Sequence, residues 1–283
     1  MTGTRRPSGR LLAVFAHPDD ETFLAGPILA KYAQRGVQVE LLIAAPGDRL
    51  PYLECASRTL GIARVHALGF VGSPMRPAPD RNRAGPDIHL VDGAPRDAVG
   101  LAMASLPRLT DEVARVMAAC RSDVVLVDSP YGAYGHPDHI VVHRAAVAAF
   151  RQAAASDARL YALAFPMWLV RLNLRLLALS GIPVSRLGPD GAIDLRQIVA
   201  ESSGRTGLVD VAEYVVLRRR AAACYEDEIN AGPLPLRLLE RSPLWLQSLI
   251  FRRQAVTRIV PPSHALASRE ERAGAGRTVL DLF

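Results

Sequence analysis

The sequence predicts an α/β fold: a mostly parallel β-sheet with helices on both faces, followed by a C-terminal helical elaboration. Three observations carry this prediction. Short apolar runs alternate with helix-length amphipathic segments through residues 11–165. The runs are nearly continuous in apolar character, as strands buried on both faces must be. Two of them end in the same turn, His-Pro-Asp, and each turn leads into a helix.

Residues 11–15 form the first predicted strand and residues 23–33 the helix after it, closed by Gly36. Residues 37–45 (VQVELLIAA) are the second strand, with Pro46-Gly47-Asp48 as its turn. A helix over 53–60 ends at Gly61, and a third strand covers 65–70. This βαβαβ rhythm implies right-handed crossovers. Residues 72–95 are rich in Pro, Gly, Asp and Arg and have no period, so they read as a long loop on the rim of the site. A helix over 106–119 leads into a strand over 123–128, then a helix over 140–155 and a strand over 160–164.

Further on, residues 167–180 and 243–256 read as amphipathic helices. They would pack on the sheet or on a second copy of the chain; their mixture of Leu, Trp and Arg also suits a membrane surface. Residues 208–216 read as a strand or helix start, and 217–228 as helix. The expected organisation is a basic tail over 1–10 and a single domain over 11–262. That domain has its core over 11–165 and an elaboration over 166–262. A charged, loosely held tail over 263–283 closes the chain.

The bulk properties narrow the function. The chain has 283 residues and a net charge of +6, which favours an anionic substrate or surface. Its basic residues are mostly Arg and are dispersed, with no aromatic-basic motif, so nucleic-acid binding is not expected. No run reaches the ~18 apolar residues of a membrane span. The apolar run before His17 is too short for a signal-peptide core. The three cysteines, Cys55, Cys120 and Cys224, are scattered and odd in number. That pattern argues against a disulfide framework, makes each a small core residue, and fits a reducing, cytoplasmic compartment.

The chemistry lies at the two turns. His17-Pro18-Asp19-Asp20-Glu21 follows the first strand at once. Ionisable residues at a buried strand end are costly to desolvate without a partner, and a divalent metal is the simplest one. An imidazole and a carboxylate three residues apart can close on one ion across a tight turn. The simpler alternative has Asp20 capping the helix and His17 merely packed. It weakens because Gly135-His136-Pro137-Asp138-His139 follows another buried strand downstream. Both strand ends then fit one edge of an open parallel sheet.

Three protein ligands and an open position are usual for catalytic zinc, and His17, Asp20 and His139 are assigned as those ligands. Asp19 is left over as the general base. His136 would donate to an oxyanion or protonate the leaving nitrogen, with a fourth-ligand role as its alternative. Asp138 would fix an imidazole tautomer or cap the following helix. His143 reads as a packing or surface residue, and His66, His89 and His264 as incidental.

These two clusters, Ala16-His17-Pro18-Asp19-Asp20-Glu21 and Gly135-His136-Pro137-Asp138-His139, resemble the LmbE-like (PIG-L) N-acetylglucosaminyl deacetylases in order, spacing and flanking strands. The likeness covers roughly residues 9–165, and more loosely 209–225. It implies a Rossmann-like α/β layer fold and a metal-dependent amide hydrolase acting on an N-acetylated amino sugar. The expected cofactor is Zn²⁺ or another divalent ion such as Fe²⁺. The sugar could carry an anionic or lipid aglycone, and the chain could form a homo-oligomer.

The resemblance puts the family's ligands on His17, Asp20 and His139, its base on Asp19 and its oxyanion or acid histidine on His136. Tyr134 falls where some members carry a mobile tyrosine that polarises the carbonyl. Three positions depart from the family pattern. Gly72-Ser73-Pro74-Met75 lacks the acid of Asp-Ser-Gly-Met, Pro51 replaces an Arg (with Arg49 nearby), and Tyr225 stands where a His is common. The catalytic set is thus intact and the sugar-recognition set altered. An N-deacylase of a different N-acyl substrate is the alternative reading, and a non-catalytic sugar-binding protein a more distant one.

Overall fold

Five strands run parallel in the computed structural model: β1 (Arg10–Phe15), β2 (Gln38–Ile43), β3 (Arg64–Ala67), β4 (Val124–Val127) and β5 (Arg159–Ala164). β7 (Arg253–Ile259) pairs antiparallel with β5, and β6 (Thr206–Asp210) antiparallel with β7. The order across the sheet is β3-β2-β1-β4-β5-β7-β6. The structure describes residues 9–73, 100–164, 175, 206–232, 234–259 and 280–283. Most of the predicted rim loop, of the segment 167–180 and of the expected C-terminal tail lies outside them.

The alternation of side chains along β1 explains the two layers. Leu12 and Val14 face one cluster, built with Leu109, Val113 and Met117 of α4 (Leu106–Cys120) and Val142, Ala145 and Ala149 of α6 (Pro137–Ala153). Leu11, Ala13 and Phe15 face the other, built with Ile28, Leu29 and Tyr32 of α2 (Gly26–Gln34). All five β1 side chains are fully buried. At ~25 cal/mol per Å² of apolar surface, this two-sided burial dominates the stabilisation of the central strands.

Several elements differ from the sequence expectation. The first helix is two: α1 (Asp20–Phe23) and α2, broken before Pro27. Proline lacks the N–H a continuous helix needs and clashes with the carbonyl four residues earlier, here that of Phe23. α3 (Leu50–Leu60) begins earlier than predicted, with Pro51 in its first turn. The helix expected over 243–256 stops at Phe251, and residues 253–259 are strand β7, with Ala255 and Val256 buried between β5 and β6. The run 217–228 is a helix α7 (Val215–Ala222), a 3₁₀ turn (Ala223–Tyr225) and a helix α8 (Glu226–Ala231). Two more helices follow, α9 (Leu234–Arg241) and α10 (Leu244–Phe251). The C-terminal elaboration therefore contributes strands as well as helices.

The cysteine reading needs correction. Cys55 of α3 and Cys224 of the 3₁₀ turn form a disulfide; Cys120 is free and buried, as expected. The loose-tail expectation fails at the chain's end. Leu282 is fully buried, its N–H donates to the Tyr32 hydroxyl (2.8 Å), and that hydroxyl donates to Asp281 Oδ1 (2.8 Å). The N–H of Leu280 donates to the carbonyl of Leu208 (2.8 Å). Among the described residues, no helix is long and apolar enough to cross a membrane.

Candidate metal centre and active site

The strand order reverses direction between β1 and β4, and in open α/β sheets ligands bind beyond the carboxyl ends of the strands at such a point. His17 stands two residues past the end of β1, and Asp128 directly follows β4. The first turn is closed by Asp20, whose Oδ2 accepts from the backbone N–H of His17 (2.9 Å). The second passes through α5 (Gly132–Gly135) into α6. The imidazole of His136, and not Asp138, caps α6: its Nδ1 accepts from the backbone N–H of Asp138 (3.1 Å).

Three donor atoms converge at the mouth of the sheet. His17 Nδ1 lies 3.2 Å from His139 Nε2, and His139 Nε2 lies 3.6 Å from Asp20 Oδ1. The far side of each ring is fixed. His17 Nε2 meets Asp138 Oδ2 at 2.9 Å, and His139 Nδ1 meets Asp128 Oδ2 at 2.6 Å. Each carboxylate takes the ring proton on its own side, so the facing nitrogens, His17 Nδ1 and His139 Nε2, present lone pairs. Two lone pairs at 3.2 Å with a carboxylate beside them repel unless a cation lies between. His17, Asp20 and His139 could hold a metal ion between them, with Asp138 and Asp128 as outer carboxylates.

The electrostatics agree. Burial works to lower the pKa of His139, but Asp20 and then the hydrogen bond and charge of Asp128 overcome it and raise it to about 9. The position therefore attracts positive charge. Burial pushes Asp138 up, yet hydrogen bonds from His17 and Ser73 hold it at about 2. Its Oδ2 also accepts from the Ser73 N–H (2.7 Å). Asp138 thus contacts the His17 ring, the geometry expected of a carboxylate that fixes an imidazole tautomer.

Asp19 points elsewhere. Its backbone has φ 104, a conformation sparsely populated by residues other than glycine and costing of order 1–3 kcal/mol. Its N–H donates to Glu21 Oε2 (2.9 Å), which helps hold that turn. Glu21 is fully buried and also accepts from Thr22 Oγ1 (2.6 Å) and the Tyr225 hydroxyl (2.9 Å). Burial pushes its pKa up to about 7 despite these bonds. Arg49 Nη1 donates to Asp19 Oδ2 (3.0 Å) and to Glu228 Oε2 (2.8 Å). Burial, and then the charge of Asp20, hold the Asp19 carboxyl well above the usual range, with Arg49 opposing.

The structure thus brings His17, Asp19, Asp20, His136, Asp138 and His139 to one open depression, shared with Arg49, Gly72 and Ser73. Tyr134 falls on α5, and its side chain lies outside the described residues. His143 is a packing residue as expected, its Nδ1–H donating to the Asp128 carbonyl (2.8 Å). Sequence reading assigned no role to Asp128, Glu21 or Glu228. For Asp128 the available signal was a carboxylate ending an otherwise apolar strand.

A curated relative from Nocardia farcinica, a 1D-myo-inositol 2-acetamido-2-deoxy-alpha-D-glucopyranoside deacetylase, is 32% identical over 80% of this chain and 82% of its own length. The chain belongs to the PIG-L (LmbE-like) family. The family description "PIG-L: GlcNAc-PI de-N-acetylase" matches residues 12–150, which span both His-Pro-Asp turns. A second PIG-L relative, the enzyme of the same name from Mycolicibacterium gilvum, is 28% identical over 79% of this chain and 82% of its own. Membership makes the chain a hydrolase of carbon–nitrogen amide bonds.

Solved structures extend the likeness in fold. The conserved protein TT1542 from Thermus thermophilus aligns with a TM-score of 0.53 at 20% identity, covering 89% of this chain and 94% of its own. GalB, the 4-carboxy-2-hydroxymuconate hydratase of Pseudomonas putida, aligns with the same TM-score at 15% identity, covering 89% and 97%. Both likenesses show the fold alone, so the substrate and the role of each residue have to be argued from the side chains at the site.

Asp128 offers a direct check on the outer carboxylates. Asp128→Asn should weaken metal binding about 10–100-fold, the usual cost of removing such a partner, with the fold retained. Metal competition against a chelating dye measures it; unchanged affinity would detach Asp128 from the centre.

Proposed function

We propose that the protein is a zinc-dependent deacetylase of an N-acetylglucosaminyl conjugate, with His17, Asp20 and His139 as metal ligands and Asp19 as general base. The observation that carries this is the pair of outward-held imidazoles, whose facing nitrogens meet the Asp20 carboxylate at one point. Two nitrogens and one oxygen suit zinc, and iron(II) accepts the same set. The relatives named as deacetylases of an acetamido sugar linked to inositol support the substrate class. A divalent ion held there would polarise the amide carbonyl and lower the pKa of water towards ~7.

The chain's own groups supply the rest. Asp19 accepts a proton from the attacking water and returns it to the amine nitrogen as the C–N bond breaks. Its raised pKa brings it nearer neutrality, where a base and an acid are both effective. Arg49 keeps the carboxylate oriented between transfers and limits how far that pKa rises. Burial and the neighbouring rings of His139 and His17 push the pKa of His136 down to about 4. At neutral pH His136 is therefore uncharged. Its Nδ1 accepts from the Asp138 N–H, so its proton sits on Nε2 and can donate to the developing oxyanion.

A second reading, an N-deacylase of a different N-acyl substrate, is favoured by the altered rim. Position 72 is glycine where many members carry an acid, and the neighbouring Ser73 N–H is already engaged by Asp138. A substrate panel separates the two. N-acetylglucosaminyl-inositol should be turned over at least tenfold faster than the same sugar bearing a longer N-acyl chain. Preference for the longer chain would favour the second reading, and no release of acid from any member would overturn both.

A further inference from the structure

We propose that Glu40, His66 and Cys120 form a second divalent-metal site, suited to zinc and independent of the catalytic centre. Glu40 lies on β2, His66 on the edge strand β3, and Cys120 is the last residue of α4. They meet on the α4 face of the sheet, away from the strand ends that carry the His-Pro-Asp turns. Glu40 Oε2 lies 2.7 Å from His66 Nε2 and 3.2 Å from Cys120 Sγ, and Cys120 Sγ lies 3.6 Å from His66 Nε2.

The atoms involved decide between a proton relay and a metal site. A relay uses both ring nitrogens, one for the carboxylate and one for the thiol. Here the carboxylate and the thiol meet the same Nε2, and all three contacts close one triangle. A tetrahedral zinc with bonds of ~2.0–2.3 Å accepts thiolate, imidazole and carboxylate and spaces its ligand atoms ~3.3–3.7 Å apart. The two Cys120 Sγ contacts, at 3.2 and 3.6 Å, sit near that spacing, and the Glu40–His66 hydrogen bond at 2.7 Å would open by roughly 0.6 Å as the ion replaces its proton. The supporting groups are in place as well. Gln38 Nε2 donates to Glu40 Oε1 (2.7 Å), leaving Oε2 for the cluster, and Arg10 Nη1 holds the Cys120 carbonyl (3.2 Å). Glu40 and Cys120 are buried, while His66 is 21% exposed and gives an ion a path in.

Binding transfers the thiol proton of Cys120 to solvent and takes His66 in its neutral form. The charged groups facing Cys120 are Glu40, His66, Arg64 and Arg10.

Cys120 is the chain's one free thiol, which makes the test specific. Cobalt(II) is titrated into the metal-free full-length protein and the near-ultraviolet thiolate-to-cobalt band is read. The band should appear in the wild type, persist in His139→Ala, and vanish in Cys120→Ser. Its absence from the folded wild type, or its survival in Cys120→Ser, would overturn the site. Should Cys120→Ser fail to fold, alkylation of the wild-type thiol decides. One equivalent of zinc beyond that needed to fill the catalytic centre should slow the reaction at least tenfold, and an unchanged rate overturns the proposal.

Discussion

His139→Ala should empty the catalytic metal centre. Bound metal should fall from about one ion per chain to near zero, counted in a Cys120→Ser background so that the thiol cluster contributes nothing. Hydrolysis should fall with it to the level of the metal-free protein. The size of the effect follows from geometry. His139 is one of the three proposed ligands, and its Nε2 lies within reach of the other two, at 3.2 Å from His17 Nδ1 and 3.6 Å from Asp20 Oδ1. Its removal also leaves Asp128 buried without its ring partner. Elemental analysis of purified protein makes the measurement. Stoichiometric metal in the variant would require another ligand set, with His136 the nearest candidate.

Asp19→Asn should keep its metal and lose turnover by ~10²–10⁴, the range of a general-base effect. Asparagine is the conservative choice here for a backbone reason. The residue sits at φ 104, and asparagine tolerates positive φ better than most side chains. It can also still accept from Arg49, so the turn and the Arg49–Glu228 pair persist. The loss should therefore appear in kcat, with metal content unchanged. If the variant lost its metal instead, Asp19 would be a ligand and the roles of Asp19 and Asp20 would exchange.

The parts of this molecule legible in the sequence are those in which cause and effect lie close along the chain. The parallel strands announced themselves as apolar runs between glycine-ended helices. The ligand and base candidates were contained in two short turns. The rest depends on contacts between distant positions. Glu21 meets Tyr225 204 residues away, and Cys55 meets Cys224 across 169. No local pattern marks such pairs, so an odd cysteine count read as three thiols instead of a bridge and a thiol. Asp128 escaped for a related reason: its partner His139 is 11 residues on, across an intervening turn and short helix. Residues 253–256 read as helix because their helical neighbour extends the apolar pattern, whereas pairing with β5 and β6 decides their state.

The strand order has a consequence for how the protein is made. β5 is bonded on one side to β4, and its other side is covered by β7, which the ribosome delivers only after the whole stretch from residue 165 to 252. Until then the emerging chain carries an apolar edge, Leu160 to Leu163, with unpaired amides and carbonyls. Such an edge is a template for another chain to add to. A polypeptide stopped short of residue 253 would hold every residue of the two His-Pro-Asp turns and still tend to aggregate through β5.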